Sequence, residues 1–224
     1  MFTSELNAVI FDMDGVLIDS EPIASRVVTG EARRFGAELT PDVLEASRGM
    51  LGRDFWASIK SRYNLPEPVQ YYIDHFNVDL EIAEYSPAII SPGSVNLMTE
   101  LRKASIRTAL ATSASKRRME AVLEIMDWTD TFDAVVCGAD VKNGKPDPEV
   151  FWLAAERLGM APENCLVIED SGRGIRAALA AGMVAVGYTG LGATAESLAE
   201  AHHIVSDFRD VSVDLLRSIW SRHR

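Results

Sequence analysis

Asp12 and Asp14 stand two residues apart, directly after the apolar run Ala8 to Phe11 and just before Gly15. Along extended backbone, residues two apart lean to the same side, so the pair starts on one side of a strand's C-terminal edge. Carboxylates held that close repel unless a cation or a shared proton relieves them. Gly15 allows an immediate bend. Three more stretches carry comparable potential: Thr112-Ser113 after RTALA, Lys145 in GKPDP, and Glu169-Asp170 in LVIEDSGRG. Clustered acids without His or Cys among them suit a hard cation bound through oxygen, and partial hydration points to Mg²⁺. Each stretch also has an ordinary structural reading. Thr112 and Ser113 would serve equally as helix caps, as would Asp170 or Ser171.

The elements that must position these residues are legible from periodicity. Ala8–Phe11 reads as a strand buried on both faces. Glu21–Phe35, Pro41–Ser47, Arg53–Tyr63 and roughly Glu67–Glu84 read as helices, with Ser20 a candidate cap and Pro22 in the first turn. No strand interrupts this block of about seventy residues, and Ser-Pro and Ser-Pro-Gly punctuation closes it. From Gly93 the pattern alternates helix and strand: helices at Val95–Lys103, Lys116–Met126, Pro148–Leu158, Gly174–Ala181, Ala195–Ala201 and Val213–Trp220. The strands between them are Arg107–Ala111, Ala134–Cys137, Leu166–Ile168, Val184–Val186 and Ile204–Val205. Such alternation predicts an α/β fold, a Rossmann-like parallel sheet core carrying an inserted α-helical cap. The expected division is 1–17 and 89–224 for the core and 18–88 for the cap. Ligands of such sheets bind beyond the carboxyl ends of the strands, where every polar stretch above falls.

In order and context, Asp12-x-Asp14-Gly15, Thr112, Lys145-Pro146 and Glu169-Asp170 resemble the haloacid dehalogenase superfamily of aspartate-nucleophile phosphohydrolases, over nearly the whole chain. The resemblance implies Asp12 as nucleophile and Asp14 as general acid and base. It implies Lys145 as the charge that keeps Asp12 ionised, and Thr112 with Ser113 as a phosphate cradle. It implies Mg²⁺ held by Asp12, Glu169, Asp170 and the backbone carbonyl of Asp14, either acid of the 169–170 pair binding directly. Family caps often extend an arginine to substrate, which makes Arg53 a candidate equally readable as a surface residue. An insert between the first and second motifs marks the subgroup of phosphoglycolate phosphatases, sugar phosphatases and β-phosphoglucomutases. The implied function is hydrolysis of a small phosphorylated metabolite through an aspartyl-phosphate. A mutase is the enzymatic alternative, and a catalytically silent binding module the other. Mutases carry a histidine early in the first cap helix, where this chain has Ala24. Dehalogenases lack the second aspartate.

Composition narrows the partners. The net charge of −11 argues against nucleic acid, which needs a basic face. No apolar run approaches the ~20 residues of a membrane span, and MFTSELNAVIF has no leader pattern. The expectation is a cytoplasmic protein, monomeric or weakly self-associating. Cys137 and Cys165 read as reduced core thiols. The basic run Lys116-Arg117-Arg118 reads as a solvated helical turn, His75, His202, His203 and His223 share no ligand spacing, and the four tryptophans read as packing.

Overall fold

The computed structural model describes residues 5–224. The first four residues of the 1–17 core segment, and of the stretch read for a leader, lie outside them. Six strands form one parallel sheet: β1 Ala8–Phe11, β2 Arg107–Ala111, β3 Ala134–Val136, β4 Cys165–Glu169, β5 Val184–Tyr188 and β6 His203–Val205. Their spatial order is β3-β2-β1-β4-β5-β6. The chain leaves β1 towards one side and returns to its other side at β4, so the topological switch falls at the C-terminal ends of β1, β2 and β4.

β1, β4 and β5 are buried along their whole length, and alternate residues divide between two cores. Val9 and Phe11 face one, with Leu110 and Ile168, beneath Leu97 and Leu101 of helix α6 (Ser94–Lys103), Val122 of α7 (Lys116–Ile125) and Leu216 of α10 (Val213–Arg222). Ala8 and Ile10 face the other, with Val167, beneath Phe151 of α8 (Glu149–Leu158) and Ile175 of α9 (Gly172–Ala180). Each fully buried Ile, Leu or Phe here contributes about 1.5–3 kcal/mol.

Between β1 and β2 lies the helical cap: α1 Glu21–Arg34, α2 Pro41–Ala46, α3 Gly52–Tyr63, α4 Val69–His75 and α5 Asp79–Ile82. It has its own apolar cluster around Trp56, Ile59 and Tyr72. Entry and exit run side by side: Asp19 N–H donates to Ile89 O at 2.8 Å, and Ser91 N–H to Leu17 O at 2.8 Å. Ile18 and Ile90 form an antiparallel bridge between them.

Three expectations are corrected. The single helix over Glu67–Glu84 is two, α4 and α5, because Phe76 turns extended and Glu31 of α1 accepts the Asn77 N–H. Ala195–Ala201 is a run of turns, where the Thr194 hydroxyl accepts from Ser197 N–H and Thr194 O takes the Ser197 hydroxyl. Local side-chain bonds of this kind compete with helix. Ser20 makes no capping bond; its hydroxyl donates to Asp14 instead. Among the described residues no helix is long and apolar enough to cross a membrane.

Candidate active site

Register explains why the chemistry gathers. Phe11 pairs with Leu110 on one side and Ile168 on the other. Asp12, Thr112 and Glu169-Asp170 therefore emerge at neighbouring strand ends, one or two residues beyond that row. Asp12 N–H still donates to Ile168 O at 3.0 Å, tying its backbone to β4. Asp12 and Glu169 follow the parity of Ala8, Ile10 and Val167, so both carboxylates stand on the α8 side of the sheet. Lys145 arrives on that side, buried, with its ammonium over the Phe151 ring at 5.1 Å.

Lys145 Nζ donates to Asp12 Oδ1 at 2.7 Å and to Glu169 Oε1. The other Glu169 oxygen accepts from the backbone N–H and hydroxyl of Ser171. Glu169 thus has both oxygens engaged in holding the lysine and the turn. Asp170 accepts from Arg48 Nη1 of the cap at 2.9 Å. Gly15, at φ +71°, leaves room for this carboxylate, since a Cβ there would overlap it.

Asp12, Glu169 and Asp170 can each offer an oxygen within 4.8 Å of the others, and all three are buried. Three buried carboxylates face the Lys145 ammonium and the Arg48 guanidinium on Asp170, leaving an excess of one negative charge for a cation to offset. Burial pushes the Asp12 carboxyl from 3.8 up to about 7, against Lys145, with Glu169 and Asp14 adding to the rise. Burial raises Asp170 as well, reinforced by Glu169 and Asp12. Burial works against the Lys145 charge, but its two acids outweigh it and raise its pKa. The donor set, all oxygen and short of positive charge, fits Mg²⁺.

Asp14 does not follow Asp12. The strand ends at Phe11, and Leu17 and Ile18 N–H both donate to Met13 O in a tight turn. Parity is lost there, and the Asp14 side chain swings towards α7. It receives Arg118 Nη1 and Nη2 at 2.7 and 2.6 Å, and the Ser20 hydroxyl. Its carboxylate stands outside the three-acid group.

Thr112 is buried beyond β2, its hydroxyl accepting from Ala114 N–H at 3.0 Å. Ser113 lines the cavity above Asp12, but its hydroxyl donates to Gly49 O of the cap. Arg53 is not brought to that cavity. Its guanidinium docks on the carbonyls of Val141 and Lys142, clasping the cap to the core.

Residues 6–182 match the family model described as haloacid dehalogenase-like hydrolase. The chain belongs to that family. Over 178 residues this hydrolase is 33% identical to a phosphorylated carbohydrates phosphatase of Thermotoga maritima, covering 80% of this chain and 82% of the relative. Over 227 residues it is 30% identical to a β-phosphoglucomutase of Bacillus subtilis, covering 98% and 97%. A crystal structure of β-phosphoglucomutase from Clostridium difficile matches it with a TM-score of 0.88 at 25% identity, covering 97% and 98%. The family match and the phosphatase relatives make the hydrolase an enzyme, a phosphoric monoester hydrolase.

Two arginines of the hydrolase's site escape sequence reading. Arg118, grouped above with a solvated turn, is only 12% exposed and ion-paired to Asp14 and to Glu81 of the cap. Tyr85 accepts from its Nε. Burial works against the Arg118 charge, yet Asp14, Tyr85 and Glu81 together raise its pKa well above the ordinary value. The available signal was position: α7 starts where β2 ends, beside the Asp pair. Arg48, at the end of the short α2, carries no motif at all.

Proposed function

We propose that this hydrolase is a Mg²⁺-dependent phosphatase that cleaves a small organic phosphomonoester, a sugar phosphate or similar metabolite, through an aspartyl-phosphate on Asp12. The observation that carries this is Asp12 itself. It is a buried carboxylate held from one oxygen by Lys145, with its other oxygen unpaired among the described residues and a cavity of about 430 Å³ above it. One oxygen fixed and one open is the arrangement an in-line nucleophile needs.

In the first step the open Asp12 oxygen bonds to phosphorus as the phosphorus–alkoxide bond breaks. Asp14 gives its proton to the departing alkoxide. In the second, water attacks phosphorus and gives a proton to Asp14, the Asp12–phosphorus bond breaks, and inorganic phosphate leaves. Lys145 offsets the charge on the phosphoryl oxygens throughout. Thr112 and the N–H groups at the start of α7 cradle that group. Asp12, Asp170 and the Asp14 carbonyl would hold Mg²⁺, with Glu169 behind them orienting Lys145. The ion's contribution is further neutralisation of the phosphoryl group. Residues 18–88 form the cap that excludes bulk water, over a core of 1–17 and 89–224.

The mutase reading has the Bacillus subtilis relative and the Clostridium difficile structure on its side. Against it, Ala24 of α1 lines the cavity, and no histidine is among the described residues that do. Without a cap group to couple Asp14 to the sugar, water takes the phosphoryl group. The test is stoichiometric release of inorganic phosphate from sugar monophosphates, with no need for a bisphosphate activator. Conversion of β-glucose 1-phosphate to glucose 6-phosphate, faster than phosphate release, would overturn it.

A further inference from the structure

The cavity above Asp12 has two unlike ends. The lower end is polar, at Asp12, Thr112 and Asp170. Upwards it enters the cap, where Val28, Leu44, Phe55, Trp56, Ile73 and Phe76 form the wall. These six belong to the apolar cluster that holds the cap together. Only Trp56 among them is buried; the other five stay half-buried. Protein interiors are close-packed, with few voids larger than a water molecule, and about 430 Å³ is the size of a ligand pocket rather than a packing defect.

Charge restricts the occupant further. Five carboxylates line the cavity (Asp12, Asp14, Glu21, Glu81 and Asp170) against two guanidinium groups. Both guanidinium groups are ion-paired, Arg48 with Asp170, Glu21 and Glu45, and Arg118 with Asp14 and Glu81, although the buried Arg48 Nε has no hydrogen-bond partner among the described residues. No uncommitted cation lines the cavity among the described residues. A second phosphate at the cap end would meet apolar side chains and acids.

We infer that the alcohol half of the substrate is uncharged and carries an apolar or aromatic face that seats between Val28, Leu44, Phe55 and Trp56. The enzyme therefore takes monophosphates and rejects bisphosphates. This rests on the phosphomonoester reading and narrows its substrate class. The reaction is the same hydrolysis, with water supplying the oxygen to phosphate and the proton to the alcohol.

Matched pairs test it. 2-Phenylethyl phosphate and ethyl phosphate share a primary alkoxide leaving group and differ in the ring. Glucose 1,6-bisphosphate and glucose 6-phosphate differ in a second phosphate. Burying a phenyl ring should raise kcat/KM for 2-phenylethyl phosphate about thirtyfold over ethyl phosphate. The bisphosphate should fall at least tenfold below the monophosphate, measured at the shared 6-position. Leu44→Asn and Val28→Thr, which keep side-chain size, should each shrink the phenyl preference at least threefold. Calorimetric titration of Asp12→Asn with the same four compounds reads binding without turnover. A phenyl preference near one in both kinetics and binding, or a bisphosphate bound as tightly as the monophosphate, overturns the inference. Phenyl-selective binding with no phosphate released from any compound upholds it and refutes the phosphomonoester reading instead.

Discussion

Arg118 grips both oxygens of Asp14, at 2.6 and 2.7 Å, from the first turn of the helix that follows β2. Two parallel bonds to a guanidinium hold a carboxylate in one orientation. In the proposed reaction that orientation serves proton delivery from Asp14 to the leaving alkoxide. Arg118→Gln should lower kcat about tenfold for alkyl phosphates. For aryl phosphates, whose leaving group needs no proton, the loss should stay under threefold. Steady-state kinetics on the two substrate types separates this from general damage, which would lower both alike.

Asp12→Asn should reduce turnover by at least about 10⁴-fold while leaving the circular dichroism spectrum unchanged, because the amide has the shape of the acid but is not a nucleophile. The variant also reports the charge balance. Burial raises Asp12 from 3.8 to about 7, so between those values the folded protein holds a proton that the unfolded chain has lost. Stability from this group is fully present below pH 3.8 and is lost as pH rises through 7. In EDTA, the Tm of wild type relative to Asp12→Asn should therefore fall from pH 4 to pH 7, and excess Mg²⁺ should flatten the trend.

Activity should vanish in EDTA and return with Mg²⁺, and only weakly with Ca²⁺, which favours larger and looser coordination. Asp170→Asn should raise the Mg²⁺ requirement at least tenfold. Arg48 competes for the same carboxylate from the cap, so Arg48→Gln should tighten Mg²⁺ binding to the substrate-free protein about threefold, measured by calorimetry.

Lys145 separates two buried acids, and its removal leaves them facing each other. Lys145→Met should cost about 3–5 kcal/mol of stability at pH 7. The loss should be smaller at pH 5, where Asp12 is protonated and the repulsion eases. Urea unfolding at the two pH values measures the difference.

Strand ends were legible because the chain writes them twice, as buried runs and as the polar residues that stop them. Ala8–Phe11 and Arg107–Ala111 are read to the residue, and their parity places Asp12. The same parity fails at Asp14, because the strand has already given way to the turn at Met13. Arg118 and Arg53 are illegible for one shared reason: their partners lie far along the chain, and nothing local names them. Arg118 meets Asp14 within the core from 104 residues away and Glu81 across the cap–core gap, Arg53 meets Val141 from 88, and Arg48 meets Asp170 from 122. In Ala195–Ala201 the fault was local: helix-favouring residues are overruled by one hydroxyl at Thr194.

The paired crossings at Leu17–Asp19 and Ile89–Ser91 have an evolutionary consequence. The chain departs from the sheet and returns to it at adjacent points, so the loop is already closed whatever lies within it. One uninterrupted stretch of gene encodes the wall that meets the alcohol, while the phosphoryl chemistry is scattered over four distant stretches. Recombination can thus exchange the former as a block, giving a descendant a new substrate while its inherited reaction stays intact.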